Sequence, residues 1–551
     1  MLVSEAVAAV LTDLGADTVF GLVGSGNFHV TNALISRGAR FVAARHENGA
    51  ASMADGWARL SGRPGVVSLH QGPGLTNALT AITEAAKSRT PLVVLAADAS
   101  APRSNFRIDV GAIAKAVGAT PGRLHSAGFA VDDTVRAYRT AAAERRCVIL
   151  ALPLEVQAGE CTWPDVSPAE RMPRAGAAAA PSDRQAQALA GLLERAERPV
   201  FIAGRGARAS GPQAGPLLRR LADACGALLA TSAAAKGLFR GSQWDLDVSG
   251  GFASPLAAEL IQGADLVVGW GSSLNMWTLR HGALIGPGAT VAQVDIDAGA
   301  IGAHQRVSLG VTGDVAATAR AVTGLLPAAE DTGGYRTAAL AERIAREVRW
   351  RDVPFTDESD GQRIDPRTLT IALDDLLPAE RIVAVDSGNF MGYPSMYLSV
   401  PDADGFTFTQ AYQSIGLGLS SAIGSAIARP DRLTVAALGD GGALMGISEM
   451  ETVVRLGLPM VIVVYDDAAY GAEVHHFGPD GYPLDTVQFP PADLAAIGRG
   501  FGAEGVTVRT PADLEPVRAW LAGERDRPLV IDAKVTADRG SWWLEEAFRG
   551  H

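Results

Sequence analysis

The sequence lacks the features that mark secreted, membrane-spanning and nucleic-acid-binding proteins. Its 551 residues include only three cysteines, Cys147, Cys161 and Cys225, which are widely dispersed and show no metal-ligand spacing. This argues against a disulfide framework and fits a reducing cytoplasm. No apolar run reaches the length of a membrane span. The formal net charge is −12 without any run of Lys or Arg, so we expect neither a nucleic-acid nor a membrane partner.

Glycine and apolar residues are abundant instead. The chain has 62 glycines and is 48% hydrophobic, and apolar runs alternate with helical stretches, as is typical of α/β proteins. A chain of this length holds about three domains. Two stretches rich in Pro, Ala or charge, 163–184 and 326–366, have the character of linkers. We therefore predict three doubly wound α/β domains with mainly parallel sheets, at residues 1–162, 185–326 and 360–540.

Two acidic residues stand at the ends of successive apolar runs. Asp440 lies in Gly439-Asp440-Gly441, and 24 residues, beginning with Gly442, separate this motif from Asp466-Asp467. Carboxylates placed in this way suit a hard divalent cation, which prefers oxygen ligands. The glycines let backbone N–H groups approach a phosphate closely. Read alone, the same residues also fit two ordinary strand-end turns.

Further segments of the chain add to this pattern. Residues 44–51, Ala-Arg-His-Glu47-Asn-Gly-Ala-Ala, precede an amphipathic helix predicted over Met53–Arg59, and a glycine-rich segment holds Ser68-Leu-His70-Gln-Gly72. Together with the Gly-Asp-Gly motif, they resemble the thiamine diphosphate enzyme superfamily of acetolactate synthase, pyruvate decarboxylase and benzoylformate decarboxylase. The resemblance extends over about residues 2–535 and favours a cofactor site over isolated turns.

The resemblance implies thiamine diphosphate and Mg²⁺ as cofactors. Glu47 matches the glutamate that meets pyrimidine N1′, Ile415 matches the apolar wedge between the cofactor rings, and the Gln413 carbonyl would accept from the 4′-amino group. Asp440, Asp467 and the carbonyl of Ala469 match the Mg²⁺ ligands. The segments expected to contact the diphosphate contain Gly388, Asn389, Phe390, Gly439, Gly441 and Gly442.

Candidate substrate residues come from the same comparison. His70 matches a catalytic histidine of benzoylformate decarboxylase, and a structural histidine is the alternative. Glu473 matches a catalytic glutamate of pyruvate decarboxylases, and a helix-terminal acid is the alternative. His475 and His476 follow it, and adjacent helical residues point about a hundred degrees apart, so that one can face the pocket; we name His476. Ser25 matches a position where decarboxylases place Asp or Ser.

The central segment predicts a Rossmann-like frame, but its glycines do not follow the dinucleotide pattern. In acetolactate synthases this domain binds FAD, and the flavin-contacting Arg-Phe-Asp-Asp is replaced here by Ser272–Trp277. FAD therefore remains an open alternative that this departure disfavours. The resemblance also implies a homodimer or homotetramer, in which Glu47 of one subunit meets the third domain of another.

These features predict an enzyme that breaks or forms carbon–carbon bonds next to a carbonyl, as a 2-oxo acid decarboxylase or carboligase acting on a small 2-oxo acid or ketone. One alternative is an FAD-containing acetolactate synthase. Another, of a different class, is a non-catalytic protein that binds thiamine diphosphate or a nucleotide on the same scaffold.

Overall fold

A computed structural model describes residues 1–163, 168–171, 178–327, 334–537 and 540–544. Part of each predicted linker, at 163–184 and at 326–366, lies outside these residues, and the domain boundaries stay a prediction. The strands are β1 Thr18–Gly21, β2 Arg40–Ala43, β3 Gly65–Leu69, β4 Leu92–Asp98, β5 Thr120–Arg123, β6 Cys147–Pro153, β7 Pro199–Ala203, β8 Leu228–Thr231, β9 Asp245–Val248, β10 Leu266–Trp270, β11 Thr290–Asp295, β12 Leu309–Thr312, β13 Arg381–Val385, β14 Phe406–Phe408, β15 Leu433–Gly439, β16 Met460–Asp466, β17 Glu504–Val508 and β18 Leu529–Lys534.

Helices connect the strands, as parallel pairing requires. The α-helices are α1 Val3–Asp13, α2 Phe28–Ser36, α3 Glu47–Ser61, α4 Pro73–Asn77, α5 Leu79–Lys87, α6 Val110–Ala116, α7 Ala130–Glu144, α8 Leu154–Gln157, α9 Pro168–Arg171, α10 Asp183–Arg195, α11 Arg205–Ala209, α12 Ala214–Cys225, α13 Pro255–Gln262, α14 Met276–Leu279, α15 Val315–Thr323, α16 Ala338–Glu347, α17 Pro366–Leu376, α18 Gly392–Tyr397, α19 Gly418–Ala428, α20 Asp440–Met445, α21 Met450–Arg455, α22 Gly471–Phe477, α23 Leu494–Phe501 and α24 Glu515–Ala522. None of these described helices is long and apolar enough to cross a bilayer.

The strands form three six-stranded parallel sheets, which confirms the predicted fold class. The first sheet has the order β2-β1-β3-β4-β6-β5, and the third repeats that order with β14-β13-β15-β16-β18-β17. The central sheet runs β9-β8-β7-β10-β11-β12, the order of a doubly wound dinucleotide fold. In the outer sheets the connections diverge between β1 and β3 and between β13 and β15. Such switch points open a crevice at the carboxyl ends of the strands.

The two outer domains share one apolar core. Trp57 of α3 and Ile423 of α19 belong to the same buried cluster, because the two helices cross at very short range. A Cβ on Gly424 would lie 1.9 Å from the carbonyl oxygen of Met53. The first and third domains are therefore packed backbone to backbone within one chain, with a glycine at the crossing point.

We predict that Gly424→Ala lowers the free energy of unfolding by about 1–3 kcal/mol, because the methyl group would push the two helices apart. Gly500 in α23 is the matched control, since a Cβ there meets nothing within 4 Å. Gly500→Ala should leave stability unchanged or raise it by up to about 1 kcal/mol. Urea unfolding measures both variants, and equal stabilities would contradict the tight crossing.

Candidate functional site

The segments predicted to bind the cofactor diphosphate follow three neighbouring strands of the third sheet. Gly388 follows β13, Asp440 follows β15 and Asp467 follows β16, so that all three lie at the carboxyl edge. Asp440 is 8% exposed and is the first residue of α20. This edge includes the switch point between β13 and β15, where ligands of open α/β sheets bind.

Asp440, which is buried, and Asp467, which is half-buried, form a carboxyl pair. Burial and, to a lesser extent, the charges of Asp467 and Asp466 together raise the pKa of Asp440 to about 8. Burial also raises the pKa of Asp467, which is opposed by the N–H of Ala469 and by a hydrogen bond from Asp440. Two like charges in a poorly solvated site cannot both ionise without compensation. In the metal-free chain, the pair therefore retains a proton at neutral pH.

Asp466 precedes this pair and faces a different partner. Its carboxylate forms an ion pair with Nζ of Lys534, and it also accepts from the N–H of Ala468 at 2.9 Å. Lys534 lies at the end of β18 and also pairs with Asp532 at 3.0 Å. A cation therefore neutralises Asp466, while Asp467 is turned toward Asp440.

Asp386 fixes the loop that carries the predicted wedge residue. Its carboxylate accepts from the N–H groups of Gly416 at 2.8 Å and Leu417 at 3.2 Å. The two donors are the residues that directly follow Ile415, which is half-buried. Gln413 is exposed and has a φ of 60°. Burial raises the pKa of Asp386 to about 6, against the opposing effect of the N–H donors.

A second cluster lies at the carboxyl edge of the first sheet. Glu47 is 8% exposed, and its Oε2 accepts from Asn77 Nδ2 at 3.1 Å. His70 directly follows β3, as predicted, and its Nδ1 accepts from the N–H of Gly26 at 3.2 Å. A Cβ on Gly74 would lie 3.1 Å from His70 Cβ and 3.7 Å from Glu47 Oε1. The structure thus brings Glu47 and His70 to the two sides of one turn.

The other predicted substrate residues divide between the two edges. Ser25 is exposed and lies between Gly24 and Gly26, beside the ring of His70. Glu473 and His476 lie on α22 of the third domain and are half-buried. In the part of the chain that the structure describes, no hydrogen bond joins the cluster of Glu47 and His70 to the pair of Asp440 and Asp467.

The start of α3 differs from the sequence prediction. The helix begins at Glu47 rather than near Met53, because His46 caps it by accepting from the N–H of Asn48. Glu449, which follows α20, accepts from the N–H groups of Arg45 at 3.0 Å and His46 at 2.9 Å. The third domain of the same chain therefore fixes the turn that presents Glu47.

Sequence reasoning missed several residues that support these clusters. Each lies far along the chain from the residue that it contacts, and the only sequence signal for any of them is a position at the end of a strand. Those residues are Asn77, Asp386, Glu449 and Lys534.

The turn after β7 does not fit an FAD pyrophosphate. The N–H of Gly204 donates to the Trp270 carbonyl at 2.9 Å, and that of Gly206 donates to the Gly271 carbonyl at 2.8 Å. A phosphate at this turn would need such groups to be available. Asp297, beyond β11, forms an ion pair with Arg89 of the first domain. We therefore assign no step to a flavin.

Three family models match this chain. They are the N-terminal thiamine pyrophosphate binding domain at residues 1–118, the central domain at 186–322 and the C-terminal thiamine pyrophosphate binding domain at 386–533 of thiamine pyrophosphate enzymes. The chain belongs to the thiamine pyrophosphate enzyme family. The matched ranges contain both clusters described above.

Relatives of this chain carry the names of different activities. The chain is 31% identical to a protein of Pseudomonas aeruginosa named probable 2-ketoarginine decarboxylase, covering 94% of this chain and 90% of that one. It is 29% identical to the sulfoacetaldehyde acetyltransferase of Castellaniella defragrans, covering 99% and 95%. It is 28% identical to the acetolactate synthase large subunit of Parasynechococcus marenigrum, covering 95% and 85%.

The residues present fit thiamine diphosphate held through a divalent cation. The described residues contain no group of three or more His, Cys, Asp or Glu side chains arranged for a metal. The carboxyl pair of Asp440 and Asp467 thus offers two ligands and leaves the others to backbone, water and phosphate, as is usual for Mg²⁺. The pair retains a proton because its negative charges have no counter-ion, and a bound divalent cation would supply one.

We predict that Asp440→Asn stabilises the metal-free protein at pH 8 by on the order of 2 kcal/mol. The folded pKa of Asp440 is raised from 3.8 to about 8. The free energy of unfolding is therefore unaffected by this group below pH 4 and falls as the pH rises from 4 through 8, because the folded chain retains a proton that the unfolded chain releases. The variant should also lose the rise in melting temperature that Mg²⁺ and thiamine diphosphate give the parent.

Thermal unfolding at pH 5 and pH 8, first in chelator and then with both ligands, measures the gain in stability of the metal-free variant and its loss of stabilisation by the ligands. The exposed Asp431 supplies a control, since Asp431→Asn leaves the pair intact. An Asp440→Asn variant that is less stable than the parent at pH 8 yet still stabilised by the ligands would contradict the prediction.

Proposed function

We propose that this protein is a thiamine diphosphate- and Mg²⁺-dependent enzyme that cleaves or forms carbon–carbon bonds next to a carbonyl, most simply as a 2-oxo acid decarboxylase or carboligase. The observation that carries the proposal is the carboxyl pair at the carboxyl edge of the third sheet. The pair lies among glycines within the matched C-terminal thiamine pyrophosphate binding domain. Asp440, Asp467 and the Ala469 carbonyl would hold the cation, and the segments with Gly388, Asn389, Phe390, Gly439, Gly441 and Gly442 would hold the diphosphate.

Glu47 would hold a proton at pyrimidine N1′. Its second oxygen is oriented by Asn77, and its turn is fixed by Glu449, so its direction is set before any ligand arrives. Ile415 would support the bent cofactor, and the Gln413 carbonyl would accept from the 4′-amino group. When bound, thiamine diphosphate supplies a carbon nucleophile and takes up the electron pair of the bond that breaks.

His70 and Glu473 would move the protons of the substrate. His70 lies beside Glu47, and histidine is the side chain that most often serves as a general acid or base. Glu473 and His476 would act from α22, and Ser25 would lie over the reacting atoms. An apolar pocket favours loss of CO₂, because the carboxylate charge disappears along the reaction. The expected substrate is therefore a small 2-oxo acid or related ketone, which the decarboxylase and synthase names among the relatives also suggest.

Two alternatives are distinguished by simple observations. An FAD-containing acetolactate synthase would give a yellow protein with a flavin absorbance band, whereas the occupied turn after β7 favours a colourless one. A non-catalytic binding protein would bind thiamine diphosphate and turn over nothing, and the presence of both Glu47 and the Gly-Asp-Gly motif disfavours it. A cytoplasmic location follows from the dispersed cysteines as a prediction.

A homodimer or homotetramer is part of the proposal. Large apolar side chains are exposed beside both clusters: Val23, Phe28 and Phe106 near His70, and Leu444, Met445 and Phe477 near the carboxyl pair. Exposed apolar groups of this kind mark interaction sites. In a dimer, the carboxyl edge of the first sheet of one copy would face the carboxyl edge of the third sheet of the other. These side chains would then be covered, and Glu47 would lie next to a cofactor held by the partner.

We predict that Glu47→Gln lowers kcat by roughly 10²-fold or more on every accepted substrate, because an amide cannot hold the proton at N1′. Turnover is measured on a panel of 2-oxo acids, including 2-ketoarginine, with and without acceptor aldehydes, by CO₂ release and product mass. Exposed Glu504 supplies the control, Glu504→Gln. Full turnover in Glu47→Gln would refute the mechanism. Full turnover in Glu473→Gln would indicate that Glu473 is only a helix-terminal acid and would leave the rest of the mechanism unaffected.

Light scattering should give two or four times the 57.1 kDa of one chain. Met445→Asp should shift the mass toward a single chain and abolish activity, since a charge would be buried in the interface. Ile296 of the central domain, 61% exposed against 64% for Met445, supplies the control Ile296→Asp. A fully active monomer would overturn the shared site.

A further inference from the structure

The segment Gly540–Leu544 packs against the loop that follows β13. We propose that Ser541 and Trp543 are positioning residues, which hold Asn389 so that its side-chain NH₂ group faces the metal and diphosphate site. This inference deepens the function proposed above and rests on it. Neither side chain needs to touch the cofactor, because both act through Asn389.

Trp543 fixes the backbone of Asn389. Its indole is 2% exposed, and Nε1 donates to the Asn389 carbonyl at 3.0 Å. A Cβ on Gly392 would lie 2.4 Å from Cε2 of this indole, and the ring of Tyr393 meets it edge-on with centroids 4.9 Å apart. Because an indole N–H can only donate and this ring cannot shift, the carbonyl it meets is held in place.

Ser541 fixes the side chain of Asn389. Its hydroxyl is buried and donates to Asn389 Oδ1 at 2.7 Å. An amide has one accepting and one donating end, so this bond turns Nδ2 to the opposite side. A Cβ on Gly471 would lie 3.0 Å from Nδ2 and 2.4 Å from Asp467 Oδ2. The NH₂ group and the Asp467 carboxylate therefore converge on the same point above α22.

The segment is also tied to the helix that carries Glu473. A Cβ on Gly540 would lie 3.2 Å from His475 Cβ, so the chain passes directly over α22. Residues that follow β18 thus contact both the loop after β13 and helix α22. An amide donor held in this way suits an oxygen of a diphosphate, since its orientation costs nothing further on binding.

The test is Trp543→Phe, which keeps a six-membered aromatic ring and removes the N–H donor together with the five-membered ring of the indole. Calorimetric titration of thiamine diphosphate in saturating Mg²⁺ should show a dissociation constant raised about fivefold, the effect of one neutral hydrogen bond. The kcat at saturating cofactor should stay within about twofold. Trp542→Phe is the matched control, because its Nε1 has no hydrogen-bond partner in the described part of the chain, and its dissociation constant should equal that of the parent.

Coupling to Asn389 separates positioning from general packing. In an Asn389→Ala background, Trp543→Phe should raise the dissociation constant no further. Ser541→Ala should also weaken binding about fivefold, and Ser541→Thr, which keeps the hydroxyl, should restore it. Circular dichroism would reveal whether Trp543→Phe folds. If it does not, the comparison of Ser541→Ala with Ser541→Thr tests the inference instead.

Unchanged binding in Trp543→Phe and Ser541→Ala, or effects that persist in full without the Asn389 side chain, would overturn this inference alone. A parent protein that does not bind thiamine diphosphate with Mg²⁺ would instead refute the proposed function and this inference with it.

Discussion

The proposed cofactor site depends on two carboxyl groups that lie side by side, one buried and one half-buried. Asp440 and Asp467 would repel each other if both were ionised, so without a cation they keep a proton. The chain maintains this unfavourable pair at the carboxyl edge of its third sheet, next to glycines. Asp466, one residue away, is neutralised by Lys534, whereas neither member of the pair has an ion-pair partner within the described residues. Such local cost is expected where a ligand is to complete the charge balance.

The rest of the architecture brings a second cluster into a fixed relation with that pair. Helices α3 and α19 cross at backbone contact, and Glu449 accepts from the two N–H groups that precede Glu47. Buried contacts within each chain thus join the domain that holds the carboxyl pair to the domain that holds Glu47. If the cofactor lies between two copies, these contacts would connect the two sites of a dimer.

The sequence predicted the strand ends well because each is a short apolar run that stops at a polar or glycine residue. His70, Asp440 and Asp467 all follow such runs, and the three parallel sheets follow from the alternation of runs and helices. The supporting contacts were not predictable. Lys534 meets Asp466 and Trp543 meets Asn389 across long stretches of chain, and no periodicity records pairs formed by tertiary packing. The start of α3 was placed too late because His46 is an uncommon capping residue.

The central claim is that a divalent cation at Asp440 and Asp467 holds the cofactor. Calorimetric titration of thiamine diphosphate into the dialysed protein, once with Mg²⁺ and once with chelator, tests it most directly. The account predicts saturable binding with Mg²⁺ and binding weakened by at least about 100-fold in chelator, since the diphosphate would then face the carboxyl pair without a cation. Equal affinity under both conditions would contradict it.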